Sequence, residues 1–119
     1  MGVRSFKDLI VWQKSMDVVE VVYTLSDKLP RTEDYALSNQ MRRAATSIPS
    51  NIAEGCKRNN RAEYRQFCGI AQGSAAELET QLLLVARLYP PINTDRALEL
   101  LTEVQKMLTN LIKTLKSVT

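Results

Sequence analysis

The chain has 119 residues, with sixteen Lys or Arg, thirteen Asp or Glu, no histidine and a formal charge of +3. That length fits one domain that buries about two-thirds of its unfolded surface, so folding requires neither a disulfide nor a metal. Without histidine there is no Glu-x-x-His di-iron site, no histidine-activated serine and no common zinc site, and Cys56 and Cys68, twelve residues apart, form no C-x-x-C motif.

Four helices are expected, at about 6–28, 33–57, 61–89 and 94–117, within a single domain spanning 1–119. In the first, Ser5 and Asp8 have capping-box spacing and Leu29-Pro30 ends the segment. Leu9, Trp12, Met16, Val19 and Tyr23 make one apolar stripe. Val11, Val18, Val22 and Leu25 make a second, rotated by about 100°. Two stripes exceed what one bundle needs, so the second predicts a contact with another subunit.

The second helix is expected to start at Thr32 as N-cap, with Leu37, Met41, Ala44, Ala45, Ile48 and Ile52 facing the core. Pro49 lies inside this pattern and predicts a kink rather than a break, because the stripe stays in phase to Ile52. Gln40, Arg43, Ser47, Asn51, Glu54 and Arg58 recur at three- and four-residue intervals as one polar stripe, while Arg42 points about 100° away from Arg43. Two readings stay open: a solvated face, or a polar seam between subunits able to hold phosphate.

Gly55 to Asn59 reads as a turn, followed by Asn60 as N-cap with Glu63 at the capping-box position. The third helix should bury Tyr64, Phe67, Ile70, Ala71, Ser74, Leu78, Leu82, Val85 and Leu88, and Pro90-Pro91 stops it. Gly69, Gly73, Ala76 and Thr80 lie along its back. A mid-helix glycine costs about 1 kcal/mol relative to alanine, so this row predicts close approach of another helix. The fourth helix, starting at Asn93 or Thr94, carries one stripe of Leu98, Leu101, Gln105, Leu108, Ile112 and Leu115, widened by Leu100, Val104, Met107 and Leu111. Short connections make sequential helices antiparallel neighbours, so the expected fold is all-α: an up-down-up-down four-helix bundle. Val11, Val18, Val22, Gly69, Gly73, Ala76, Leu100 and Met107 are the candidate subunit-interface residues.

Charge is concentrated in one stretch. Met41 to Arg65 holds Arg42, Arg43, Lys57, Arg58, Arg61 and Arg65 against Glu54 and Glu63, and the other ninety-four residues carry ten bases and eleven acids. These six cations are the candidate phosphate contacts. They favour backbone over base edges, giving steep salt dependence and little sequence preference. No enzymatic activity, cofactor or metal is expected: Glu77 and Glu79 point about 160° apart and form no acid–base pair. MGVRSFKD lacks an apolar leader region and no apolar run reaches the roughly twenty residues of a membrane span. A cytoplasmic protein with reduced cysteines and no membrane partner is therefore expected.

Phe6–Val18 (FKDLIVWQKSMDV), Gln40–Arg58 (QMRRAATSIPSNIAEGCKR) and Glu63–Leu82 (EYRQFCGIAQGSAAELETQL) resemble the bacterial four-helix bundle proteins encoded by intervening sequences of 23S ribosomal RNA genes. The resemblance covers about Phe6 to Tyr89; the fourth helix matches in character only. It implies a homopentamer around a central channel with no established enzymatic activity. The family is also similar to the accessory protein of diversity-generating retroelements, a more basic pentamer that binds a reverse transcriptase and nucleic acid. Two functions follow: an RNA- or DNA-binding accessory module, or a structural, protein-binding oligomer without a nucleic-acid ligand.

Overall fold

In the computed structural model, which describes residues 5–117, four long helices run side by side. They are α1 (Ile10–Ser26), α2 (Leu37–Cys56), α3 (Arg61–Leu88) and α4 (Asp95–Ser117). Residues 1–4, which include part of the segment behind the leader reading, and residues 118–119 lie outside the described residues. The Cα envelope measures 48 × 19 × 19 Å, a rod of near-square section. Each helix packs against its two sequence-adjacent neighbours, with α4 returning to α1, so α1 and α3 are diagonal, as are α2 and α4. Cross-links between neighbours run in opposite sequence directions: Ser47 meets Ser74, and Gly55 meets Phe67. The bundle is therefore antiparallel, up-down-up-down.

Both early helix starts differ from expectation. Phe6–Asp8 is a separate 3₁₀ turn, in which the Ser5 hydroxyl accepts from the Lys7 amide at 3.1 Å, and α1 proper begins after extended Leu9. Arg31–Glu33 is a second such turn, and Thr32 is not the cap of α2. Instead the Glu33 carboxylate accepts from the Leu37 amide at 3.4 Å, so the cap comes from four residues upstream. The other two starts follow the sequence: Asn60 accepts from the Glu63 amide at 3.0 Å, and Thr94 carbonyl accepts from Leu98 at the head of α4.

Pro49 lies within a single uninterrupted α2, which extends through Gly55 to Cys56. Around it Thr46, Ser50 and Asn51 each return a side-chain donor to the carbonyl four residues back, at 2.8–2.9 Å. These back-bonds go to the carbonyls of Arg42, Thr46 and Ser47 rather than to that of Ala45, the one Pro49 leaves without its helical donor.

The core corrects four of the interface assignments. Val11, Val18, Val22 and Leu100 are 7%, 0%, 0% and 3% exposed within the monomer, so none is available to a second subunit. For the three valines the reason is Ser15, while Leu100 joins Ala97, Leu101 and Val104 of α4 in the core. Val11, Ser15, Val18, Val22, Leu25 and Leu29 form a continuous heptad-spaced stripe, and fully buried Ser15 donates to the Trp12 carbonyl at 2.7 Å. With its hydroxyl satisfied locally, a polar residue sits in the core at little cost. The stripe that looked primary is the outer one: Trp12 and Val19 are half-buried, while Met16 and Tyr23 are exposed. Likewise Ile70 and Leu88, expected inside, are 47% and 59% exposed, and Cys68 and Ala75 fill the core positions of α3. Met107 is half-buried against the core.

Candidate nucleic-acid interface

Antiparallel packing brings the C-terminus of α2, the N-terminus of α3 and the C-terminus of α4 to one end of the rod. That end gathers Lys57, Arg58, Arg61 and Arg65 as expected, and adds Lys113 and Lys116 from the last turns of α4. Segments 54–65 and 113–116 together hold these six cations against Glu54 and Glu63. The two lysines were visible in the sequence as favourable partners of a helix C-terminus. Their addition to the patch depends on α4 returning beside α3.

The cations are not equivalent. Arg58 donates to Glu54 at 3.2 Å and its guanidinium lies 4.9 Å from the Phe67 ring centroid, which holds it against the α2–α3 corner. Arg61 donates to the Thr114 carbonyl at 2.9 Å, tying the start of α3 to the last turns of α4. Lys57 is exposed on the turn. Arg65 is half-buried and lines a groove of about 530 Å³ with Ala62, Gln66, Gly69, Ile112 and Lys116.

Arg42 and Arg43 stand apart from this end. Arg42 turns toward α1: Nε donates to the Ser26 hydroxyl and Nη2 to Asp27, both at 2.8 Å, and its guanidinium lies 5.0 Å from the centroid of Tyr23. It is thus a tether between α1 and α2, positioned beside the negative end of the α1 dipole. Arg43 is exposed and lines a different groove, of about 640 Å³, with Tyr35, Asn39, Gln40, Ala44, Ser47, Ser74 and Glu77. The polar stripe of α2 is therefore divided. Ser47 bonds Ser74 of α3 at 2.8 Å and Asn51 returns to Ser47, so these two serve the α2–α3 seam within the monomer.

Beneath the basic end lie Cys56, Tyr64 and Cys68. Burial pushes the Tyr64 phenol well above the ordinary tyrosine range, helped by the charge of both cysteines and a hydrogen bond to Cys56. Burial also pushes the Cys68 thiol up to about 11, with a further contribution from Cys56. Cys68 is thus a protonated thiol at neutral pH, and it behaves as a small apolar core residue rather than a nucleophile. Both cysteines are free.

A four-helix antiparallel bundle with a basic end defines a class of small all-helical proteins. Residues 7–110 match the family described as 23S rRNA-intervening sequence protein, and the chain belongs to that family. It is also similar to the crystal structure of a protein of unknown function from the S23 ribosomal protein family of Bacteroides thetaiotaomicron. The TM-score is 0.76 at 28% identity, over 87% of this chain and 99% of that one. No curated protein matches the chain. Among the described residues, no helix is long and apolar enough to cross a membrane.

Proposed function

We propose that this protein is a non-enzymatic accessory module that binds RNA or DNA through its basic end and works as a homo-oligomer. The observation that carries the first part is the convergence of Lys57, Arg58, Arg61, Arg65, Lys113 and Lys116 at one end of the rod. Clustered lysine and arginine release counterions from a phosphate backbone, a contact that carries affinity without sequence information. Arg42 is withdrawn from the proposed contacts because its guanidinium is engaged by α1. A salt titration of binding to unrelated RNA and DNA tests the reading. Log affinity should fall steeply with log salt on both, and absence of binding at low salt sinks it.

The oligomeric part rests on two heptad-spaced seams, exposed on α3 and partly exposed on α1. On α3 the row Gly69, Gly73, Ala76, Thr80, Leu83 and Arg87 faces outward, flanked by Ile70, Leu84 and Leu88. On α1, in the row Trp12, Met16, Val19 and Tyr23, the first three border an apolar groove of about 340 Å³ floored by Pro49 and Ala53 of α2. Alanine-sized or smaller residues at 69, 73 and 76 admit a close helix, and among the described residues nothing beyond the local helix backbone lies within 4 Å of a Cβ built at Gly69 or Gly73. Because α1 and α3 are diagonal, joining one seam to the other gives head-to-tail contacts, which form a ring where the rotation between subunits closes. The family resemblance implies five subunits. Light scattering of Leu83→Glu should show a smaller species than the parent chain; an unchanged mass removes α3 from the contact. The alternative, a protein-binding oligomer without nucleic acid, gains if binding is absent and assembly persists. In either setting a reverse transcriptase is a proposed partner class.

A further inference from the structure

Among the arginines of the basic end, Arg58 and Arg61 already hold protein partners, whereas Arg65 has none: among the described residues it forms no hydrogen bond, ion pair or ring contact. It is also half-buried along its length while its guanidinium nitrogens stay open to solvent, so the head group is free to meet a ligand. Its groove, between α3 and α4, is lined by a second cation, Lys116, and an amide, Gln66, and among the described residues by no carboxylate. Ala62, Gly69 and Ile112 complete the lining, and among the described residues nothing beyond the local helix backbone lies within 4 Å of a Cβ built at Gly69. The groove wall is pinned on one side by the Arg61–Thr114 hydrogen bond, which holds α3 and α4 at fixed spacing there.

We infer that this groove is a phosphate-binding subsite, in which Arg65 grips two oxygens, Lys116 supplies a second positive charge and Gln66 donates to a third oxygen. A carboxylate would be satisfied by the guanidinium fork alone; two cations and an amide donor match a tetrahedral oxyanion with more oxygens to fill. The inference rests on the basic-end reading for its biological setting, but the chemistry is separable from it. The phosphate can belong to a nucleic-acid backbone or to a free mononucleotide.

The test uses the full chain, with inorganic phosphate, adenosine monophosphate and a short single-stranded oligonucleotide as probes at constant ionic strength. The readouts are the Arg65 Nε–H resonance by NMR and the dissociation constant. Phosphate should shift that resonance, and Arg65→Ala should weaken binding of the responding probe by about tenfold or more, as loss of a charge-assisted contact implies. Arg65→Lys keeps the charge but loses the fork, and should fall well below the parent chain. Lys57→Ala, an exposed cation outside the groove, should lose much less. A response to the oligonucleotide alone assigns the site to backbone phosphate, and a response to the monophosphate assigns it to a free nucleotide. The inference is overturned if no probe moves the resonance, if Arg65→Lys equals the parent, or if Arg65→Ala loses binding only because sizing shows the assembly has broken. Nucleic-acid binding that survives Arg65→Ala overturns the subsite while leaving the basic end intact. Phosphate binding without any nucleic-acid affinity does the reverse.

Discussion

The Tyr89 hydroxyl donates to the Glu33 carboxylate at 2.6 Å, linking two loops fifty-six residues apart at the end of the rod opposite the basic patch. Glu33 uses its other oxygen to cap α2 at Leu37, so one carboxylate holds both the start of α2 and the exit of α3.

A pH dependence follows with a definite sign. The hydrogen bond to Glu33, followed by partial burial and the carboxylate charge, raises the Tyr89 pKa above its ordinary 10.0. The folded state thus binds this proton more tightly than the unfolded chain. The resulting stabilisation is complete below about pH 10 and is lost as pH rises through the folded pKa. Urea midpoints between pH 9 and 11 should therefore fall less for Tyr89→Phe than for the parent chain, with Tyr64 contributing equally to both. Parallel curves would remove the linkage.

Two glycines should respond oppositely to alanine. A Cβ at Gly55 would lie 2.8 Å from Phe67 Cβ and 3.2 Å from the Tyr64 carbonyl oxygen, so α2 and α3 must separate. Overpacking of this kind costs about 1–3 kcal/mol. At Gly73, where nothing lies within 4 Å, alanine should stabilise the monomer by up to about 1 kcal/mol through helix propensity. Chemical denaturation at low protein concentration, where the monomer dominates, measures both.

Adjacent Arg42 and Arg43 should separate stability from binding. Arg42→Ala removes bonds to Ser26 and Asp27 and the stack on Tyr23, and should cost about 1 kcal/mol after allowing for partial exposure. Its nucleic-acid affinity should be unchanged once the folded fraction is accounted for. Arg43→Ala should leave the denaturation midpoint within about 0.5 kcal/mol of the parent, as expected of an exposed substitution.

Lys113 and Lys116 carry a quantitative prediction about the basic end. Each phosphate contact contributes about 0.9 to the log–log salt slope on duplex DNA and about 0.7 on single strands. The double alanine variant should therefore bind more weakly with a slope shallower by about 1.4–1.8. An unchanged slope would place both lysines outside the contact.

The helices, their order and their antiparallel arrangement were legible because periodicity, Asn60, Pro30 and Pro90-Pro91 are local signals that act over a few residues. The basic stretch was equally plain. Which stripe of α1 faces inward was not, because Ser15 interrupts the buried heptad and only its bond to the Trp12 carbonyl shows that the core accepts it. The Arg31–Glu33 turn was missed because Glu33 caps α2 from four residues before its first residue, outside the usual N-cap pattern. Gly55 read as a turn residue, whereas its role is to let Phe67 of α3 approach, a contact that no local pattern encodes.

Sequence alone determined an all-α bundle with a positively charged segment, since helical propensity, patterning and charge are properties of neighbouring residues. Tertiary structure decided what each arginine does. Arg42 is turned to α1, Arg61 to α4 and Arg58 to Phe67, while Arg65 is left half-buried beside Lys116 and, among the described residues, unpartnered. A guanidinium's availability depends on which acceptors the packed helices bring within about 3 Å, and that distance exists only after the chain has folded.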